Sequence, residues 1–133
     1  MNILITEDDK RLANSIKTYL DEKGHDVQHY LSGAEAGNAL MNNSYDAVIT
    51  DMQMPRGSGL YLLQFASAVS NPPPFYVHSS ENIFYEEGRS IDLENDISKY
   101  FEFAIFRSKK IPEVFQEIQK WLDDIKENDR ATS

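Results

Sequence analysis

No cysteine occurs among the 133 residues. Its absence excludes a disulfide framework, thiolate catalysis and cysteine-ligated zinc, and it fits a reducing compartment. No apolar run approaches the ~20 residues that span a bilayer. No basic leader precedes the strand-like Ile3-Leu4-Ile5. The expectation is a soluble, cytoplasmic protein with no membrane contact. Positive charge is scarce: 13 Lys and Arg stand against 22 Asp and Glu, a formal net charge of −9. Nonspecific nucleic-acid binding needs a basic face, so no direct nucleic-acid partner is expected. The excess acid suits a partner with a basic surface, or a cation site.

Apolar runs alternate with helix-period segments. Residues 10–23 put Leu12, Ile16, Tyr19 and Leu20 on one helical stripe, and Gly24 ends it. Val27, His29 and Leu31 alternate with polar residues, as in an edge strand. Ser32-Gly33-Ala34-Glu35 reads as a capping box before a short helix carrying Ala36, Ala39 and Leu40 inward, which Asn42-Asn43-Ser44 stops. Ala47-Val48-Ile49 suits a strand covered on both faces. Pro55, Gly57 and Gly59 make Met52–Gly59 a loop. Leu60–Ser70 reads as a helix with Leu62, Leu63, Ala66 and Val69 inside, and Pro72-Pro73-Pro74 breaks the chain before Phe75-Tyr76-Val77. Pro112 suits the first position of a last helix with Val114, Phe115, Ile118, Trp121, Leu122 and Ile125 on its apolar stripe. Residues 127–133 read as a frayed polar tail beyond a domain of residues 1–126. Residues 81–100 need a crossover helix somewhere, since parallel strands cannot be joined by a tight turn.

This βα alternation predicts an α/β three-layer sandwich around a five-stranded parallel sheet of order 2-1-3-4-5. Ligands of such sheets bind beyond the carboxyl ends of the strands, where the order switches between strands one and three. Glu7-Asp8-Asp9 follows the first run, Asp51 the third and Ser79 the fourth, and Arg107-Ser108-Lys109-Lys110 follows the last. Carboxylates, a hydroxyl and an ammonium group would therefore meet at one edge, a supply suited to a divalent cation and a phosphoryl group. A hard octahedral cation takes oxygen ligands and keeps several waters. Acidic residues also favour a helix N-terminus, and Asp9 suits that capping role.

Ile3-Leu4-Ile5-Thr6-Glu7-Asp8-Asp9, Asp51-Met52-Gln53-Met54-Pro55 with Gly57 and Gly59, and Phe106-Arg107-Ser108-Lys109-Lys110-Ile111 together resemble the receiver domain of two-component response regulators. The resemblance implies a flavodoxin-like fold and a phosphoacceptor, not an enzyme acting on other substrates. It implies that Asp51 takes a phosphoryl group from a sensor histidine kinase or a histidine phosphotransfer protein. Mg2+ would be held by Asp8 and Asp51, by Glu7 through water, and by the backbone carbonyl of Gln53. Lys109 would pair with a phosphoryl oxygen, with Arg107 its rival if the register slips by two. Ser79 would donate its hydroxyl after transfer, and Phe106 would be a switch aromatic or an ordinary core ring. His78 reads as sheet packing rather than a base.

Three departures stand out. Lys110 occupies the usual proline position after the lysine, which predicts a trans peptide there. Ser80 replaces a small apolar residue. The stretch from Ser79 to Phe106 is long and lacks the usual Gly-Ala, which predicts an unusual fourth helix or an extended acidic loop. The leading expectation is a phosphorylatable receiver without its own output module, signalling to an unnamed downstream protein, or a piece of a longer regulator. The alternative is a pseudo-receiver that binds protein without phosphate. A Mg2+-dependent phosphohydrolase ranks last, because no separate general acid is evident.

Overall fold

The computed structural model describes residues 1–54 and 58–132, with side chains as far as Asp129. Pro55 and Gly57, expected to break the chain after Asp51, lie outside the described residues. The elements run β1 (Asn2–Thr6), α1 (Lys10–Glu22), β2 (Asp26–Tyr30), α2 (Gly33–Asn42), β3 (Ala47–Asp51), α3 (Gly59–Ser67), β4 (Phe75–Ser79), β5 (Ile83–Glu86), β6 (Arg89–Asp92), α4 (Leu93–Tyr100), β7 (Ala104–Ser108) and α5 (Val114–Thr132). The main sheet is parallel in the order β2-β1-β3-β4-β7. This is the expected 2-1-3-4-5 order, its fifth member being β7.

Burial follows sheet position. Every residue of central β3 and β4 is buried, whereas edge strand β2 buries only Val27 fully. Alternate strand residues feed two cores. Leu4, Val48, Phe75 and Val77 face Leu62, Leu63, Leu93 and Ile97 of α3 and α4. Ile3, Ile5, Ile49 and Tyr76 face Ile16 and Leu20 of α1 and Ile118 and Leu122 of α5. Burying such side chains contributes roughly 1.5–3 kcal/mol each. Among the described residues no helix is long and apolar enough to cross a membrane.

Four local expectations change. Helix α3 begins at Gly59, capped by the Ser58 hydroxyl on the Tyr61 N–H, and ends at Ser67, so Val69 is 46% exposed rather than inside. Leu31 falls just beyond β2. Pro112 lies in the turn before α5, which starts at Val114. The same helix continues to Thr132, through the segment read as a frayed tail; its polar residues are compatible with helix but offer no apolar stripe to reveal it.

The 81–100 stretch contains the expected helix, α4, and a feature the sequence reading did not contain. β5 and β6 form an antiparallel hairpin pairing Phe84 with Ile91 and Glu86 with Arg89. Its two-residue turn, Glu87-Gly88, has φ of 51° and 77°, the left-handed geometry that matches the twist of a tight hairpin. Phe84 points inward at 5% exposure, while Tyr85 is 72% exposed.

Candidate functional site

Strands β1 and β3 are neighbours at the switch point, so their carboxyl ends deliver Glu7, Asp8 and Asp51 together. Carboxylate oxygens of the three lie within 4.8 Å of one another. Glu7 is fully buried, Asp51 is 5% exposed and Asp8 is exposed. Asp9 turns away and caps α1, accepting from the Arg11 and Leu12 N–H groups at 3.0 and 3.2 Å.

Lys109 enters from the loop after β7. Its Nζ sits 2.8 Å from Glu7 Oε1 and 3.0 Å from Asp51 Oδ2. The Lys109 N–H donates to the Ser79 carbonyl at 2.9 Å, and the Lys110 N–H to the Ser108 hydroxyl at 3.0 Å, which fixes the loop. No peptide among the described residues is cis, so the Lys109–Lys110 bond is trans as Lys110 predicts. Arg107, the rival for the lysine position, points elsewhere: it is paired with Glu117 at 3.4 Å and donates to the Phe106 carbonyl.

Backbone contacts hold the acids in place. The Glu7 N–H donates to the Tyr30 carbonyl at 3.2 Å, and His29 Nε2 donates to the Glu7 carbonyl at 2.8 Å. The Gln53 N–H donates to Asp51 Oδ1 at 3.2 Å, and the Gln53 side chain is exposed. Gly59 packs against the acid's own backbone: a Cβ there would stand 2.6 Å from the Asp51 carbonyl oxygen and 2.9 Å from Met52 Cα. Only glycine permits that approach.

Ser79 ends β4, beside β3, with its hydroxyl accepting from the Glu81 N–H at 3.2 Å. His78 is 1% exposed and faces Asp51 across the strand pair. Its Nε2 is 3.4 Å from Glu7 Oε1. Phe106 is half-buried, packed against the α3–α4 core and lining a groove of about 550 Å³ with Glu81, Asn82, Glu94 and Ser98. Sequence reasoning had Gly59 as a loop residue of the Asp51 motif, not as the point where α3 meets the Asp51 backbone. It missed the contacts of His29 and His78 with Glu7, for which the histidines carried no signal.

Three carboxylates face one ammonium group here. Burial, then hydrogen bonding and repulsion from Glu7, raise the Asp51 carboxyl to about 7, with Lys109 opposing. Burial lowers Lys109, but its bonds and attraction to Glu7 and Asp51 outweigh this and leave it raised. Burial, then Lys109, pull the His78 imidazole down to about 4, so it is neutral near neutral pH. The site lacks positive charge and offers hard oxygen donors, one of them exposed. That combination fits a divalent cation entering from solvent.

Comparison with known proteins agrees with this geometry. Residues 3–107 match the family described as response regulator receiver domain. The chain is similar to the transcriptional regulatory protein DltR of Streptococcus agalactiae, 29% identical over 77% of this chain and 46% of that one. It is also similar to the transcriptional regulatory protein RprY of Bacteroides fragilis, 30% identical over 84% of this chain and 49% of that one. The chain thus spans about half the length of the curated relatives it matches. Among solved structures, a CheY-like receiver domain from Methylobacillus flagellatus aligns with a TM-score of 0.74 at 25% identity, covering 94% of this chain and 98% of that one. The receiver domain of the Francisella response regulator 1452 shares the fold with a TM-score of 0.76 at 23% identity, covering 96% and 97%.

Proposed function

This chain belongs to the response regulator receiver domain family of two-component signalling, and from that premise we propose that Asp51 is its phosphoacceptor. The observation that carries the reading is Lys109 held within 3.0 Å of both Asp51 and Glu7 at the switch point. An Asp51 carboxylate oxygen attacks the phosphorus of a phosphohistidine on a sensor kinase or phosphotransfer protein. The O–P bond forms as the P–N bond to the histidine breaks, and the imidazole leaves with the electron pair. Phosphoryl transfer of this kind depends on alignment and charge neutralisation more than on covalent help. Lys109 neutralises one phosphoryl oxygen, and the Ser79 hydroxyl donates to another after transfer. Asp8, Asp51 and the Gln53 carbonyl would hold Mg2+ directly, and Glu7 through water. Mg2+ would supply the positive charge that three carboxylates and one lysine lack.

Phe106 is proposed as the aromatic that reports phosphorylation to the groove beside α4, where a downstream protein binds. The chain is not an enzyme toward other substrates; it catalyses only its own phosphorylation and dephosphorylation. Residues 1–126 form the receiver proper. Absence of direct nucleic-acid contact is proposed for this chain alone, whatever a longer protein containing it does. The pseudo-receiver alternative draws on the altered fourth-helix region and on Lys110; against it, the acidic site is intact and the trans loop still delivers Lys109 to both acids. The test is intact mass after incubation with Mg2+ and acetyl phosphate. A labile phosphate adduct, absent in Asp51→Asn, supports the reading. No adduct and no Mg2+ affinity would favour the pseudo-receiver, and rapid turnover to free phosphate the hydrolase.

A further inference from the structure

We propose that His78 is a positioning residue that holds the buried Glu7 carboxylate when Lys109 leaves it for a phosphoryl group, an inference that rests on the phosphoacceptor reading above. Glu7 has no exposed surface, so its charge depends on partners inside the protein. Oε2 accepts from the Asp9 N–H at 3.3 Å. Oε1 faces two groups, Lys109 Nζ at 2.8 Å and His78 Nε2 at 3.4 Å. Lys109 also serves Asp51, so it is shared. A phosphoryl group on Asp51 adds oxygens that compete for the same ammonium, and His78 is then the side chain that remains beside Oε1.

The imidazole is suited to that task. Both ring nitrogens are buried, and neither makes a hydrogen bond in the resting arrangement. An unpaired buried polar group is costly to keep, so its presence at this point in the sheet calls for a partner. The ring is set edge-on to Tyr76 at 6.1 Å between centroids, and β4 pairing with β3 and β7 fixes its backbone. A shift of a few tenths of an ångström brings Nε2–H into hydrogen-bond range of Oε1. The ring offers Oε1 an N–H donor from a fixed place on β4. His78 thereby keeps Glu7 oriented in the phosphorylated state, as Lys109 does in the free one.

Nitrogen position supplies the test. His78→Gln carries an amide nitrogen near the place of Nε2, His78→Asn only near the place of Nδ1, and His78→Leu none. Mg2+ affinity is measured by calorimetry, and adduct lifetime after acetyl phosphate by intact mass, with thermal melts as the control for folding. The expected result is an adduct lifetime changed at least threefold in Leu and Asn, with the Mg2+ affinity of the unphosphorylated protein, where Lys109 still holds Glu7, within twofold of the wild type. Gln stays within twofold of the wild type, and the Leu melt is unchanged or higher. If Leu disturbs the fold, the Gln and Asn pair carries the comparison. Leu and Asn variants that match the wild type in adduct lifetime, or Gln failing as badly as Leu, would overturn the role of His78 alone. A wild type that binds no Mg2+ and takes no phosphate would overturn the phosphoacceptor reading and this inference with it.

Discussion

Tyr76 carries a buried hydroxyl with no hydrogen-bond partner, in the core between the sheet and α5. Its ring contributes through packing on Trp121, with centroids 5.4 Å apart, so Tyr76→Phe keeps the packing and removes the orphaned group. That change should stabilise the protein by about 1 kcal/mol near neutral pH. Burial, then the Glu117 charge, pushes the phenol up from 10.0 to about 12. A raised folded-state value means that the unfolded chain loses its proton first. Stability is therefore full below the ordinary tyrosine value of 10.0 and falls as pH rises toward about 12. Thermal melts of both proteins across that range should show the alkaline loss blunted in Tyr76→Phe. At this scale the sequence was legible wherever a residue's place follows from its strand end. Glu7, Asp8, Asp51 and Lys109 each follow an apolar run, and the parallel topology brings them together. His29 and His78 were not legible as contacts of Glu7, because their roles depend on which strand lies alongside and how far the ring reaches.

Elements differ in how much their sequences disclose. Strands β1 and β3 announce themselves as unbroken apolar runs, and α1 as a clean stripe. The start of α3 was hidden by Gly59, which reads as a loop residue yet opens the helix because α3 approaches the Asp51 backbone so closely. Gly59→Ala should cost roughly 1–3 kcal/mol from overpacking, measured by urea unfolding, and should slow phosphorylation from acetyl phosphate because the displaced atoms belong to Asp51 and Met52. The β5–β6 hairpin was hidden for another reason. Its strands have four residues each, and its turn is Glu-Gly rather than the stronger Asn-Gly signal. Gly88 has φ of 77° with open space around a Cβ position, so Gly88→Ala tests strain alone. A loss of about 1 kcal/mol is expected, with faster amide exchange confined to the hairpin and the start of α4. Uniform exchange across the domain would instead mean that the hairpin is integral to the whole fold.

Among the described residues, two helical layers cover one parallel sheet, and the candidate site lies at a single edge of it. That arrangement was readable from the alternation of elements, since a parallel sheet forces the strand ends together. What the alternation could not disclose is the insertion beside that edge, where β5, β6 and the eight-residue α4 replace a simple crossover. The insertion packs Phe84 inward, links Glu86 to the Ser58 cap at 3.3 Å, and leaves Tyr85 outside. The face beside the edge is therefore built from the hairpin and α4. All of this depends on one assignment, that Asp51 receives the phosphoryl group. Borohydride reduction of the protein after Mg2+ and acetyl phosphate treatment, followed by peptide mass mapping, reads it most directly. Conversion of Asp51 to the reduced alcohol, with Glu7, Asp8 and Asp9 untouched, is the predicted result. Label on another acidic residue, or none on a protein that binds Mg2+, would contradict it.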